Sequence, residues 1–184
     1  IVSAETTPEQ AMIGLRNRLV FEDFVAVRER VKGIQDITAM MQPLNFGGRV
    51  AQGRHSTTAQ ILGTNANYQQ VVRVYTDQGR FLSESDDLRR RRVVVLGATL
   101  IKKLELPANP VGSFIQLGGE WFRVIGVAES RGTLFGFDQD NFVIAPFSTL
   151  KALSGATQEE DVQIYFRPQA GADLGNIETQ VRHV

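Results

Sequence analysis

The chain contains no cysteine, which excludes disulfide cross-links, thiolate catalysis and cysteine-based zinc sites. Histidine and tryptophan are scarce, with two and one among 184 residues. Lys and Arg total 20 and Asp and Glu total 20, so the net charge is zero. Since a protein that binds nucleic acid usually carries an excess of positive charge, we expect no nucleic acid partner.

Long hydrophobic runs are also missing. The longest apolar stretches, Val93–Leu96 and residues 142–147, are far shorter than the roughly 20 residues that cross a bilayer. The chain begins at Ile1 and shows no initiator Met or secretory leader. We therefore interpret it as a piece excised from a longer protein.

The two ends of the chain combine strand and helix patterns. Residues 21–31 have apolar side chains at helical spacing, and Ile34–Met41 alternates as a strand does. Near the other end, residues 162–166 are predicted as a strand and residues 173–182 as a helix. We therefore predict an α+β fold.

The middle of the chain is dominated by β patterns. Residues 49–62 are predicted to form one hairpin that turns near Gln52 and Gly53. Val93–Leu96 is a short, continuous β-branched run, which favours a strand covered on both faces.

The clearest hairpin surrounds Gly118 and Gly119. If these two residues form the turn, Ile115 faces Phe122 on one side and Gln116 faces Trp121 on the other. The pattern assigns four residues to the core side: Ile115, Leu117, Phe122 and Val124.

Catalytic and cofactor sites are poorly supported. His55 and His183 are predicted as surface residues outside any Ser-His-Asp triad, and no GxSxG motif is present. Residues 93–103 have the strand, glycine and helix order of a phosphate-binding turn, but only one glycine, Gly97. We predict no catalytic residue and no cofactor, and we interpret Gly97 as a small residue required by packing.

Two clusters of charged side chains leave alternatives open. Asp138 and Asp140 offer oxygen ligands at alternate positions, as a calcium loop does, but a turn stabilised by aspartate side chains explains them equally well. Three acidic residues, Glu84, Asp86 and Asp87, precede four arginines, residues 89–92; an anion site is one interpretation of this cluster, but a solvated, mutually screened cluster is the one we favour. We predict no metal site.

One loop breaks the rule that loops are polar. Residues 133–137 place three large apolar side chains, Leu134, Phe135 and Phe137, among glycines. Either these side chains fold back into the core or they form a small exposed anchor for a partner. They are our candidates for partner contact.

A series of weak motifs keeps its order and spacing along nearly the whole chain. In this order and spacing the chain resembles the MacB-like periplasmic core domains of MacB/FtsX-type ABC transporter permeases. The motifs are Leu62-Gly63, Tyr68, Gly79-Arg80-Phe81, residues 93–97, residues 109–112, residues 122–127, Asp138-Gln139-Asp140, residues 144–146 and Thr149.

The resemblance implies a discontinuous, Porter-like α/β subdomain with an inserted β-rich subdomain. The composition shifts put the first at residues 1–74 and 158–184 and the second at residues 75–157. The family also implies a location outside the bacterial inner membrane, on the periplasmic or extracellular side, between transmembrane helices of a permease.

The implied function is mechanical. Members transmit conformational change, driven by an ATPase in a separate cytoplasmic domain or subunit, to a periplasmic adaptor or an exported substrate during export, efflux or lipoprotein release. The implied partners are the protein's own transmembrane and ATPase domains, in a full-length homodimer or heterodimer, and the isolated domain is expected to be monomeric. The alternative is a stand-alone secreted module for ligand binding or adhesion.

Overall fold

A computed structural model describes residues 2–3, 11–13, 19–43, 46–155 and 162–184 of the chain. Within these ranges the chain forms six helices and fourteen strands. The helices are α1 (Phe21–Arg30), α2 (Tyr68–Val72), α3 (Glu84–Leu88), α4 (Ala98–Lys103), α5 (Phe147–Ser154) and α6 (Leu174–Arg182). The strands are β1 (Val2–Ser3), β2 (Ala11–Ile13), β3 (Ile34–Met41), β4 (Arg49–Gln52), β5 (His55–Thr58), β6 (Gln60–Thr64), β7 (Thr76–Gly79), β8 (Val93–Leu96), β9 (Phe114–Leu117), β10 (Glu120–Ala128), β11 (Thr133–Leu134), β12 (Phe137–Asp138), β13 (Phe142–Pro146) and β14 (Val162–Pro168).

One mixed sheet organises the described part of the chain. Its strand order is β1-β2-β14-β3-β6-β13-β8-β10-β9-β4-β5, and β7 pairs with the second half of β10. The pairs β6 with β13 and β8 with β10 are parallel, and the other pairs are antiparallel. The mixed α/β character agrees with the predicted fold class, while the division into subdomains at residues 75 and 157 stays a prediction.

The sheet has a hydrophobic core on each face. The larger core packs α1, α4, α5 and α6 against the sheet and contains Val94 and Leu96 of β8. The smaller core lies under α2 and the segment of residues 74–82 and contains Val95 of the same strand. Because neighbouring residues of a strand point to opposite faces, β8 is covered on both sides, as its β-branched run predicts.

The hairpin around Gly118 and Gly119 is confirmed in its register. Phe122 lies opposite Ile115, and Trp121 lies opposite Gln116. The four residues predicted on the core side are all fully buried: Ile115, Leu117, Phe122 and Val124.

The predicted hairpin of residues 49–62 is only partly correct. β4 and β5 pair as expected, but the returning arm ends at Thr58. After Ala59 the chain enters β6, which pairs with β3 and β13 in another part of the sheet. The alternation of side chains continues across this break, so the sequence pattern gives no sign of it.

Candidate functional site: an exposed apolar hairpin

Residues 133–138 form a small β-hairpin that stands apart from the main sheet. Leu134 pairs with Phe137, and Thr133 pairs with Asp138. The two turn residues, Phe135 and Gly136, have φ angles of 50° and 83°. Two left-handed residues in succession give the turn whose twist matches that of the flanking strands. An aromatic residue at the first of these positions is unusual, because positive φ crowds a side chain against the backbone.

The three apolar side chains of this hairpin are exposed. Leu134 exposes 56%, Phe135 92% and Phe137 74% of its surface. The alternative that they fold back into the core is therefore wrong. Their role as partner contacts stays a prediction.

Asp140 holds the base of the hairpin. It is 3% exposed, and its carboxylate accepts hydrogen bonds from Ser130 Oγ (2.6 Å) and from the backbone N–H groups of Arg131 (2.8 Å) and Gly132 (2.9 Å). Burial opposes ionisation, but the hydrogen bonds from these three residues outweigh it and lower the pKa of Asp140. The ionised carboxylate of Asp140 thus holds residues 130–132, the segment that leads into the hairpin.

Asp138 ties the hairpin to α4. Its Oδ1 accepts a hydrogen bond from Thr99 Oγ1 at 3.0 Å and one from the backbone N–H of Asp140 at 2.8 Å. Both aspartates are therefore used to stabilise the loop, which is the second of the two alternatives from the sequence. Among the described residues, no group of three or more His, Cys, Asp or Glu side chains is placed to hold a metal ion.

Arg131 connects the hairpin to α2. Its guanidinium donates to the carbonyl of Val72 at 3.1 Å and to that of Arg73, the residue that ends the helix with a left-handed φ of 57°. A cation at this position satisfies carbonyl groups that the end of a helix leaves free. The exposed tip is therefore carried by a base that is bonded to two helices.

Replacing Phe135 and Phe137 together with serine should leave the stability of the domain nearly unchanged. Both rings are largely exposed, and surface substitutions typically change the free energy of unfolding by about 0.5 kcal/mol or less. Thermal unfolding of the variant measures this. The control is Phe122→Ser in the core, which should cost about 3 kcal/mol or more. A fall in Tm of the double variant comparable to that of the control would contradict the exposed arrangement.

Asp86 is another buried carboxylate. For this member of the charge cluster of residues 84–92, the interpretation as a solvated side chain is wrong. Its side chain is fully buried and accepts two bonds from the Arg80 guanidinium, at 2.6 and 3.2 Å. Ser83 donates to it through its backbone N–H (2.9 Å) and its hydroxyl (2.7 Å), which closes the capping box of α3. Arg91 approaches within 3.4 Å. The spacing Ser83-x-x-Asp86 is that of a capping box and marks this aspartate, but nothing in the run of acidic and basic residues indicates its complete burial or its pairing with Arg80.

The two histidines lie in separate surroundings. His55 Nδ1 lies 3.4 Å from Glu105 Oε1, and His183 Nδ1 lies 2.6 Å from the carbonyl of Thr179 at the end of α6. Neither contact involves a serine hydroxyl.

Among the residues that the structure describes, no helix has both the length and the hydropathy to cross a membrane.

The described geometry defines a mixed α/β domain with an exposed apolar hairpin. The family described as MacB-like periplasmic core domain matches residues 2–184, and the chain belongs to this family. It is 28% identical to the macrolide export ATP-binding/permease protein MacB of Bdellovibrio bacteriovorus over 93% of this chain and 26% of that protein. It is 24% identical to the uncharacterized ABC transporter permease YknZ of Bacillus subtilis over 73% of this chain and 34% of that protein.

Solved structures share the fold. The periplasmic region of MacB from Actinobacillus actinomycetemcomitans matches with a TM-score of 0.76 at 22% identity, covering 96% of this chain and 82% of that one. The extracellular domain of the transporter YknZ from Gram-positive bacteria matches with a TM-score of 0.68 at 17% identity, covering 94% and 87% of the two chains. The chain thus spans most of these isolated domains but only about a quarter to a third of the two full-length relatives.

Proposed function

We propose that this chain is the extracytoplasmic domain of a MacB/FtsX-like ABC transporter permease and that it transmits conformational change to a partner outside the membrane. The match of residues 2–184 to the MacB-like family carries this proposal. Relatives named as macrolide and pyoverdine export ATP-binding/permease proteins support it. The ATPase belongs to a separate cytoplasmic domain or subunit, and we assign no catalytic activity to this domain.

The continuity of the sheet supports a mechanical role. β1, β2 and β14, which contain or adjoin the two ends of the chain, are neighbours in the sheet. α6 packs nearby, where Ile177 approaches Gly33 and the Gln180 side chain accepts from the N–H of Lys32. The strand that follows the hairpin is β13. It is separated from β14 by three strand spacings, a distance of about 14 Å across the sheet. Hydrogen-bonded strands therefore join the terminal segments to the hairpin.

The proposal includes partners inside and outside the membrane. The terminal segments lead to the protein's own transmembrane and ATPase domains in the inner membrane, within a homodimer or heterodimer. Leu134, Phe135 and Phe137 contact a periplasmic adaptor or an exported substrate, since exposed aromatic side chains are the usual anchors of an interface. The process served is export, efflux or lipoprotein release.

Single cysteines in the full-length parent protein test the proposal, and the absence of cysteine from this chain makes the labelling here specific. With other cysteines of the parent replaced, Phe135→Cys should react with a membrane-impermeant maleimide on intact spheroplasts. A spin label at this position in each protomer should then report a different distance after addition of a non-hydrolysable ATP analogue. The matched control measures a distance within one protomer. Its two labels are at position 135 and at Lys102→Cys, an exposed position of α4, and the distance between them should stay constant.

Two results would contradict the proposal. Labelling that requires permeabilised membranes would place the domain on the wrong side, and label distances that ignore the nucleotide would argue against transmission of motion. A parent protein without membrane-spanning helices would favour the stand-alone binding module instead.

A further inference from the structure

One end of the sheet has a face that nothing in the described residues covers. Across β10, β9, β4 and β5, the residues Trp121, Gln116, Ala51 and Ser56 lie side by side in one row. The opposite face of the same strands is buried under α4 and includes Phe122 and Leu117. Trp121 is 51% exposed and Phe114 is 54% exposed, which is unusual for aromatic residues on strands that are paired on both sides.

The composition of this face is distinctive. Pairing and alternation assign eight strand residues to it, and none of them is acidic. We call it the arginine–aromatic face, and its residues are Arg49, Ala51, Ser56, Thr58, Phe114, Gln116, Trp121 and Arg123.

The two aromatic residues and one of the two arginines of the face are adjacent. Trp121 is the diagonal neighbour of Phe114, a separation within reach of two rings, and Arg123 lies directly opposite Phe114. The nearby carboxylate of Glu120 alternates to the other face and is paired with Arg92 at 2.7 Å. The face therefore presents positive charge without a compensating carboxylate of its own.

We propose that the arginine–aromatic face docks an acidic polypeptide segment that also carries apolar or aromatic side chains. Complementary charge selects the sign of the partner and steers its approach, while the two rings supply the area that anchors it. A second copy of the same face is disfavoured because stacking would bring its arginines against each other. The inference concerns a different surface from the hairpin and does not depend on the permease assignment.

A polypeptide fits this surface better than a membrane does. The face also carries the amide of Gln116, next to Trp121, and two hydroxyls on β5, two strands further along the sheet, and these groups offer directional hydrogen bonds. The face also lies on a regular β-sheet. Along each strand its side chains repeat at the same interval as the side chains of an extended polypeptide lying against it. The face lacks the protruding apolar tip that insertion into lipid would require; the tip of that kind belongs to the separate hairpin, which we propose as a protein contact.

The single tryptophan of the chain makes the test direct, since Trp121 lies on the face itself. The probe is a random copolymer of glutamate and tyrosine, added to the 184-residue chain with excitation at 295 nm to favour tryptophan. We expect a saturable change in Trp121 emission that weakens as salt is added. A copolymer of lysine and tyrosine, which matches the aromatic content with the opposite charge, should give no saturable change.

Substitutions assign the binding to the face. Arg49→Gln with Arg123→Gln should weaken binding about tenfold or more, and Phe114→Thr several-fold, with Trp121 kept as reporter. The matched control removes two charges elsewhere, Arg28→Gln with Lys102→Gln, and should change the affinity less than twofold. Unchanged thermal unfolding shows that each variant is folded.

Three outcomes would overturn the inference. They are equal responses to the glutamate and lysine copolymers, an affinity insensitive to the arginines of the face, and a Trp121 response to phosphatidylglycerol vesicles but not to the glutamate copolymer. The last result would assign the face to a membrane surface.

Discussion

Replacing Gly97 with alanine should destabilise the domain by about 3 kcal/mol or more, enough to remove much of the stability of an ordinary domain. A Cβ at this position would lie 2.1 Å from the backbone oxygen of Asp140 and 2.8 Å from its carbonyl carbon. Both are backbone atoms, so no side chain can rotate away. Urea unfolding of the variant measures the loss.

The effect of Gly97→Ala is steric, because the backbone there suits any residue, with φ −72° and ψ 149°. Gly119 is the matched control: its φ is +91°, but a Cβ would meet nothing within 4 Å. Gly119→Ala should therefore cost only the strain of a left-handed residue, about 1–2 kcal/mol. If the two variants lose the same stability, close packing is not the reason for glycine at position 97.

The contact between Gly97 and Asp140 also links the packing of α4 to the hairpin. The oxygen that Gly97 accommodates accepts a hydrogen bond from the N–H of Thr99 in the first turn of α4. The carboxylate of the same Asp140 holds the backbone of Arg131 and Gly132. Any shift of Asp140 away from a new methyl group should therefore speed hydrogen exchange of the amides of Arg131 and Gly132, far from the substitution in sequence.

Local features of the fold could be predicted from the sequence because their causes are local. Two adjacent glycines set the turn between β9 and β10, and alternation then fixed which residues face the core. The strand β8 was recognisable because a sheet covered on both faces needs apolar residues at successive positions. The need for a small residue at Gly97 was also apparent, although the atom it avoids was not.

The remaining features depend on contacts distant in sequence. β6 leaves its predicted hairpin because its partners are β3 and β13, about 20 and 80 residues away, and no local pattern encodes that choice. For the candidate site, the three apolar side chains could be found by composition, but their exposure could not. It depends on Asp138 and Arg131, which bond the hairpin to the distant helices α4 and α2, and on Asp140, which holds the segment that leads into the hairpin.

Replacing Asp86 with asparagine should lower the free energy of unfolding by about 2–3 kcal/mol at neutral pH. The carboxylate is fully buried, and breaking such a pair leaves its partners without a charge to bind. We expect a loss below the roughly 3–5 kcal/mol usual for a broken buried pair, because Arg80 is 48% exposed and can be solvated by water. The matched control is Glu84→Gln, an exposed residue of the same helix, which should change the stability by less than about 0.5 kcal/mol.

The loss caused by Asp86→Asn should depend on pH in a definite direction. Burial acts to raise the pKa of Asp86, but hydrogen bonds from Arg80 and Ser83 outweigh it and hold the pKa well below the ordinary aspartate value of about 3.9. Below that value Asp86 is protonated in the unfolded chain but still ionised in the folded chain. The stabilisation is therefore complete above about pH 5 and is lost as the pH falls towards the pKa of the folded state. Unfolding in urea at pH 7 and pH 3 should therefore show a smaller difference between wild type and variant at pH 3. An equal difference at both values would mean that the shape of the side chain, rather than its charge, stabilises α3.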